Sequence, residues 1–244
     1  MKIIPAILEK DFEEIKKKLD FLVKMKTENH LDFDMVQIDL CDGSFVENTT
    51  WLLDEERQEE RETLNEYRRY FDLEFHIMCD NQKKYFELSE KTNSKFVVIH
   101  IDKLFSGELD KQYFVDLLLE SENTPSRLIF CLKLDTMFNK KDEFLGFLKE
   151  VRGYQEKIFV QVMGIENIGK QGQDFDMRSL EIIKFLRENF DHNELSIQVD
   201  GSMDADHVKL VKEVGVDAVV VGSYLEKDLD VNVFLPHYQK LLEI

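Results

Sequence analysis

The chain has 244 residues, of which 43% are hydrophobic and 34% charged, so it can bury a core and is too apolar for a disordered acidic segment. Its 50 acidic and 32 basic side chains give a net charge of −18, which argues against a nucleic-acid partner. We find neither a secretory signal nor a run of roughly 18 apolar residues, and therefore expect a cytoplasmic protein with no membrane partner. Three widely spaced cysteines, Cys41, Cys79 and Cys131, indicate reduced core thiols.

Short apolar runs alternate along the chain with longer segments of helical period. The strand-like runs are Ile3–Leu8, Met35–Leu40, Leu73–Met78, Phe96–Ile101, Leu128–Leu134, Ile158–Met163, Leu195–Val199 and Ala218–Val221. The helix-like segments are Asp11–Lys26, Asp54–Tyr70, Gln82–Lys91, Lys111–Glu120, Lys141–Arg152, Met177–Asn189, Ala205–Val214 and Val231–Leu242. Near-continuous hydrophobicity is typical of parallel strands covered on both faces, and parallel strands need a crossover long enough to hold a helix.

Eight βα repeats in a chain of this length predict a single (β/α)8 TIM barrel. No linker or low-complexity stretch divides the sequence, so we expect one domain over residues 1–244. An open doubly wound sheet is the alternative, because periodicity alone does not show whether a sheet closes.

Polar residues recur at the carboxyl ends of the predicted strands, where barrels place their active sites. Asp39 ends the second strand, His76 the third, His100 the fourth and Asp200 the seventh. Any one of them alone is best explained as a hydrogen-bonded core residue. Two aspartates and two histidines at the same end of separate strands favour a metal site or an acid–base site.

Two Gly-Ser pairs follow the last two predicted strands. Gly201-Ser202 comes after the seventh strand and Gly222-Ser223 after the eighth. Either pair alone could be an ordinary turn. Barrels commonly bind phosphate through backbone N–H groups at these two positions, so both pairs together predict a phosphate site.

Several segments of the sequence carry a resemblance to a known family. They are KIIPAIL at 2–8, IDLCDGSFVEN at 38–48, FHIM at 75–78, VDGS at 199–202 and VGS at 221–223. In this order they resemble the motifs K-I-x-P-S-I-L, H-x-D-x-M-D-G-x-F-V-P-N, x-H-L-M, V-D-G-G/S and G-S of the ribulose-phosphate 3-epimerases and the related hexulose-phosphate epimerases. The resemblance spans nearly the whole chain.

The resemblance implies an isomerase that inverts C3 of a ketose phosphate, commonly as a homo-oligomer. It implies that Asp39 and Asp200 are the acid–base pair, and that Asp39, His76 and Asp200 bind a divalent metal (Zn, Mn or Fe). It further implies that His100 and Met78 support these side chains without binding the metal. The phosphate and substrate contacts would come from Gly172, Gly201, Ser202, Gly222 and Ser223. A small-molecule sugar phosphate is the expected partner.

The sequence departs from the family pattern at four places. Gln37 stands where a metal-binding histidine is expected, and its amide oxygen is at most a weak ligand. Ala6 replaces a serine and Cys41 a methionine. Residues 164–175 replace the P-G-F-G-G-Q loop, and there Glu166 would repel a phosphate unless it is solvated or offset by Lys170.

These departures leave an alternative function, a catalytically impaired barrel that binds a phosphorylated metabolite without turnover. A phosphosugar lyase or decarboxylase ranks last. Those relatives carry D-x-K-x-x-D, and here Cys41 occupies the place of the lysine.

Overall fold

Eight parallel strands close into one barrel in the computed structural model, which describes residues 1–170, 172–226 and 229–244. Each strand pairs with the next along the chain, and the eighth pairs with the first. The strands are β1 (Lys2–Ile7), β2 (Met35–Cys41), β3 (Asp72–Met78), β4 (Phe96–His100), β5 (Arg127–Leu132), β6 (Ile158–Met163), β7 (Leu195–Asp200) and β8 (Ala218–Val221). The predicted (β/α)8 TIM barrel is therefore confirmed, and the open doubly wound sheet is wrong.

At least one helix follows every strand. Within the described ranges these are α1 (Phe12–Glu28), α2 (Gln58–Tyr67), α3 (Gln82–Glu90), α4 (Asp102–Ser106), α5 (Lys111–Ser121), α6 (Leu134–Asn139), α7 (Lys141–Val151), α8 (Arg178–Asn189), α9 (Ala205–Glu213), α10 (Ser223–Glu226) and α11 (Val231–Glu243). The sequence does not predict α4, α6 or α10, because helices of four to six residues are too short to show a helical period. The second helix is also shorter than the predicted Asp54–Tyr70.

The fifth strand ends two residues earlier than the sequence predicts. The backbone N–H of Lys133 donates to Asp102 Oδ1 at 3.1 Å, which takes this group out of the strand ladder. Leu134 then begins α6. The carboxylate of the first residue of α4 thus ends the strand, and no local pattern in the sequence signals this.

Aspartate side chains fix the starts of several helices. Asp11 Oδ1 accepts from the N–H of Glu14 at 3.0 Å, and Asp204 Oδ1 accepts from the N–H of His207 at 2.9 Å. Such caps satisfy backbone donors that have no partner within the helix. Asp110 caps α5 in the same way.

Alternate residues of the strands face the inside of the barrel. Ile4, Ala6, Met35, Ala218 and Val220 form a small inner apolar cluster, separate from the larger core between strands and helices. Polar side chains occupy much of the remaining interior. The strand register sets Asp39 beside His76 and Met163 beside Asp200, so these residues share the carboxyl end of the barrel.

Candidate active site

Asp39, His76 and Asp200 meet at the carboxyl end of the barrel. His76 Nδ1 lies 3.3 Å from Asp39 Oδ1 and 3.3 Å from Asp200 Oδ2. The three donor atoms lie within 4.8 Å of one another. Ligands placed about 2.0–2.2 Å from a tetrahedral metal are separated by about 3.4 Å, so this group fits a divalent cation bound by three protein ligands.

Gln37 contacts both aspartates through its amide nitrogen. Its Nε2 donates to Asp39 Oδ1 at 2.9 Å and reaches Asp200 Oδ2 at 3.5 Å. Its Oε1 is buried and has no hydrogen-bond partner among the described residues. The side chain sits where the sequence predicts a weak metal ligand, but in this orientation it offers the carboxylates a donor and turns its oxygen away.

Burial and neighbouring charges shift the pKa values of Asp39 and His76. Burial raises the pKa of Asp39 above its ordinary value of 3.8, and the negative charge of Asp200 adds to this effect. Burial alone would lower the pKa of His76, but its hydrogen bonds to Asp200 and Asp39 outweigh burial and hold that pKa well above 6.5. An imidazolium at His76 therefore balances the two carboxyl groups when no metal does so.

His100 lies directly behind His76. Their Nε2 atoms are 2.9 Å apart, and the two rings are stacked. On its other side, His100 Nδ1 lies 3.3 Å from Asp102 Oδ2. His100 thus stands where the sequence predicts a supporting residue, whereas Met78 lines the cavity in front of the site.

Cys131 completes the surroundings of the two histidines. Its sulfur lies within 4.8 Å of a ring nitrogen of each. Burial disfavours the thiolate, but the charges and hydrogen bonds of His100 and His76 outweigh it and hold the pKa of the Cys131 thiol below 9.0. The sequence assigns this cysteine no role, because its proximity to the histidines arises only from pairing between strands.

A layer of buried polar side chains beneath the site is missed by the sequence analysis. Gln198 Nε2 donates to Glu74 Oε1 and to Gln161 Oε1, each at 2.7 Å. Gln161 Nε2 in turn donates to Asp200 Oδ2 at 3.2 Å and reaches His76 Nε2 at 3.3 Å. The available signal was the polar residues Glu74, Gln161 and Gln198 within three largely apolar strands. The layer connects the barrel interior to Asp200.

A cavity of about 490 Å³ opens in front of Asp39 and Asp200. Its lining includes the predicted phosphate and substrate residues Gly172, Gly201, Ser202, Gly222 and Ser223, together with Ala6, Lys170 and Tyr224. Three methionines form an apolar part of the cavity wall; they are Met78, Met163 and Met203. Every predicted substrate-contacting residue thus borders one cavity with both aspartates.

The two Gly-Ser pairs present free backbone donors to this cavity. Gly201 has φ of +110° and Ser202 of +57°, and both residues line the cavity. Among the hydrogen bonds of the described residues, none uses the N–H of Gly201, Ser202, Gly222 or Ser223 as donor. These groups are free to bind an anion.

The structure describes the loop after β6 except for Gln171. In this loop Lys170 does not pair with Glu166, as the sequence analysis considers, and both residues have other partners. Glu166 pairs with Arg178 at 3.3 Å and is absent from the cavity lining. Lys170 pairs with Glu47 at 2.7 Å instead of with Glu166. Glu166 is exposed and paired with Arg178, so it meets the condition under which the sequence analysis expects no repulsion of a phosphate.

Comparison with known proteins decides the family. A family model described as "Ribulose-phosphate 3 epimerase family" matches residues 2–225. The chain belongs to the ribulose-phosphate 3-epimerase family. A ribulose-phosphate 3-epimerase of Synechocystis is 25% identical over 226 residues, covering 91% of this chain and 85% of the relative. One from Aquifex aeolicus is 26% identical over 194 residues, covering 78% and 76%.

Solved structures share the fold of this epimerase-family chain. The 3-hexulose-6-phosphate synthase of Salmonella typhimurium superposes with a TM-score of 0.65 at 15% identity, covering 100% of this chain and 99% of that one. The orotidine 5'-phosphate decarboxylase of Pyrococcus horikoshii gives a TM-score of 0.60 at 11% identity, covering 99% and 100%. Family membership supports an epimerase-like function on ketose phosphates. Among the described residues, no helix has the length and apolar character needed to cross a membrane.

Proposed function

We propose that the protein is a ketose-phosphate 3-epimerase, acting on ribulose 5-phosphate or a related hexulose 6-phosphate. The observation that carries the proposal is that Asp39 and Asp200 border the same cavity and both contact His76 Nδ1 at 3.3 Å. Two carboxyl groups that share one site are the minimum that the inversion of a carbon beside a carbonyl requires.

The two aspartates divide the proton transfer between them. One carboxylate removes the proton from C3 on one face of the sugar, and the other carboxyl group returns a proton on the opposite face. The reverse reaction exchanges their roles. Gln37 holds both groups in place, since its Nε2 lies within hydrogen-bond distance of each. Gln161 adds a second donor to Asp200.

Asp39, His76 and Asp200 would also hold a divalent cation such as Zn²⁺, Mn²⁺ or Fe²⁺. When bound, the cation supplies positive charge beside the oxygens of the enediolate that forms after proton removal. The protein itself positions the carboxyl groups, and three methionines give the cavity an apolar wall.

The phosphate group of the substrate would bind at the two Gly-Ser pairs. Their free N–H groups offer donors of fixed orientation, which is the usual way barrels bind phosphate after the seventh and eighth strands. Gly172 and Lys170 border the same region of the cavity. Lys170 would offset the phosphate charge when its ammonium turns from Glu47 to the phosphate.

The test is exchange of the C3 hydrogen in deuterated water. Ribulose, allulose and related ketose phosphates are mixed with the protein and with Zn²⁺, Mn²⁺ or Fe²⁺. We expect exchange with at least one of them, and absence of exchange with every combination would refute the proposal. Asp39→Asn and Asp200→Asn should each lower the rate by at least about 10²–10⁴-fold. The exposed Asp206→Asn is the matched control, and near-normal exchange in either site variant would refute the assigned roles.

A second candidate function is binding of a phosphorylated metabolite without turnover. The observation in its favour is that Gln37 donates its amide nitrogen to the carboxylates at a position where the family motif has a metal-binding histidine. This function predicts that a sugar phosphate raises the melting temperature without any C3 exchange. Exchange at an enzyme-like rate would exclude it.

A further inference from the structure

Three soft or borderline metal ligands meet inside the barrel, one layer behind the candidate active site. His76, His100 and Cys131 lie on the neighbouring strands β3, β4 and β5, and the strand register sets His100 directly beside Cys131. One nitrogen of each ring and the cysteine sulfur lie within 4.8 Å of one another, and all three side chains are at most 1% exposed.

The Nδ1 atoms of His76 and His100 both face carboxylates. His76 Nδ1 lies 3.3 Å from Asp39 and Asp200, and His100 Nδ1 lies 3.3 Å from Asp102. With both Nδ1 atoms turned to these groups, the two Nε2 atoms face each other across 2.9 Å. That is the separation of a hydrogen bond, so one proton lies between the two nitrogens in the metal-free protein, and a metal cation can take its place.

Gln161 and Cys131 also contact the histidines. The Gln161 amide nitrogen reaches His76 Nε2 at 3.3 Å but is shared with Asp200. Cys131 hydrogen-bonds with His100 and His76, and its sulfur also lies 3.7 Å from the carbonyl oxygen of the following residue. A histidine whose other nitrogen donates to a carboxylate is the usual form of a metal-binding histidine, and His100 with Asp102 has this form.

We propose that His76 Nε2, His100 Nε2 and Cys131 Sγ form a second metal site, which takes a thiophilic divalent cation such as Zn²⁺ or Cd²⁺. Two imidazoles and one thiolate suit such ions, whereas the group at Asp39 and Asp200 offers mainly oxygen. Binding releases to solvent both the thiol proton and the proton that lies between the two Nε2 atoms. Nitrogen ligands at about 2.0–2.1 Å from a tetrahedral metal lie about 3.4 Å apart, so the two rings separate by about 0.5 Å.

The new site and the candidate active site compete for one ring. In the candidate active site, His76 would bind the metal through Nδ1 and carry its proton on Nε2. In the second site, His76 would bind the metal through Nε2 and carry its proton on Nδ1. A neutral imidazole has one in-plane lone pair to give, so a thiophilic cation at the second site excludes metal from the first. This competition rests on the proposed function, whereas the existence of the second site does not.

The experiment titrates metal-free protein with Cd²⁺ alone and follows the ultraviolet thiolate-to-cadmium absorption together with proton release. We expect the absorption at one equivalent in the wild type, in Cys79→Ser and in Asp200→Asn, and none in Cys131→Ser or Cys131→Ala. Cys79 is the matched control because its thiol is equally buried and donates to the Leu40 carbonyl at 3.3 Å. Circular dichroism checks that each variant folds.

Two further measurements complete the test. Asp102→Asn should weaken Cd²⁺ binding by about 10–100-fold, because the carboxylate orients His100. Electron paramagnetic resonance should show that Mn²⁺ binds metal-free protein but not the Cd²⁺-loaded form. No absorption in the wild type, or absorption that survives in Cys131→Ser, would overturn the second site. Simultaneous binding of both ions would overturn the competition. C3 exchange by Mn²⁺-loaded Cys131→Ser tests the proposed function separately.

Discussion

Replacing Glu74 with glutamine should make the protein much more stable in alkaline solution. The Glu74 side chain is fully buried, its Oε1 accepts from Gln198, and its Oε2 has no partner among the described residues. Burial raises the pKa of Glu74 from an ordinary 4.5 to about 8. The folded protein therefore prefers the protonated acid, which glutamine imitates.

The magnitude and sign follow from proton linkage. A pKa of about 8 in place of 4.5 corresponds to about 5 kcal/mol, at 1.36 kcal/mol for each pH unit. This stability is present below pH 4.5, and the wild type loses it as the pH rises to about 8, because the unfolded chain releases the proton first. Glu74→Gln should differ from the wild type by less than about 1 kcal/mol near pH 5 and be about 5 kcal/mol more stable near pH 9.

Urea denaturation of the metal-free protein, with a chelator present, measures the free energy of unfolding at both pH values. The chelator matters because a cation at the neighbouring His76 would itself stabilise a carboxylate at Glu74. The exposed Glu66→Gln is the matched control and should show no such difference. A gain for Glu74→Gln that is equal at both pH values would refute the reasoning, because it would show that ionisation of Glu74 does not destabilise the fold.

Two other changes give distinct expectations. Gln37→His should bind Mn²⁺ at least about tenfold more tightly in calorimetric titration, because imidazole replaces an amide that turns its oxygen away. Unchanged affinity would show that position 37 does not reach the metal. Gly201→Ala should cost about 2–5 kcal/mol of unfolding free energy, since its φ is +110° and a Cβ would lie 2.8 Å from Ile165. Gly172→Ala, with φ of +76° and open space around it, should cost only about 1–2 kcal/mol, and equal costs for the two would contradict the steric argument.

The sequence predicts the barrel well because its strands and longer helices are long enough to show a period. The predicted Ile158–Met163 and Ala218–Val221 coincide with β6 and β8. Where contacts between distant segments decide the local structure, the prediction is wrong. The end of β5 depends on a hydrogen bond from Lys133 to Asp102, and these residues are 31 positions apart in the chain.

In the candidate site too, some features can be predicted from the sequence and others depend on contacts between distant segments. Asp39, His76 and Asp200 could be proposed together because barrel topology brings strand ends to one face, whatever the intervening sequence. Gln161 could not, because its partners lie on β3 and β7 and the hydrogen bonds depend on the depth of each side chain in the barrel. Nor could the pairing of Glu166 with Arg178, since a charge pattern does not state which cation turns toward which carboxylate.

The amide of Gln198 constrains how this barrel can evolve. It donates to both Glu74 and Gln161. Its loss alone would leave two buried acceptors without a donor, and each would lower the unfolding free energy by about 1–3 kcal/mol. Replacing all three by apolar side chains of similar size removes the unmet hydrogen bonds together and can be nearly neutral. We therefore expect related sequences to change these three positions together. They should carry either three hydrogen-bonded polar side chains or three apolar side chains, and mixed combinations should be rare.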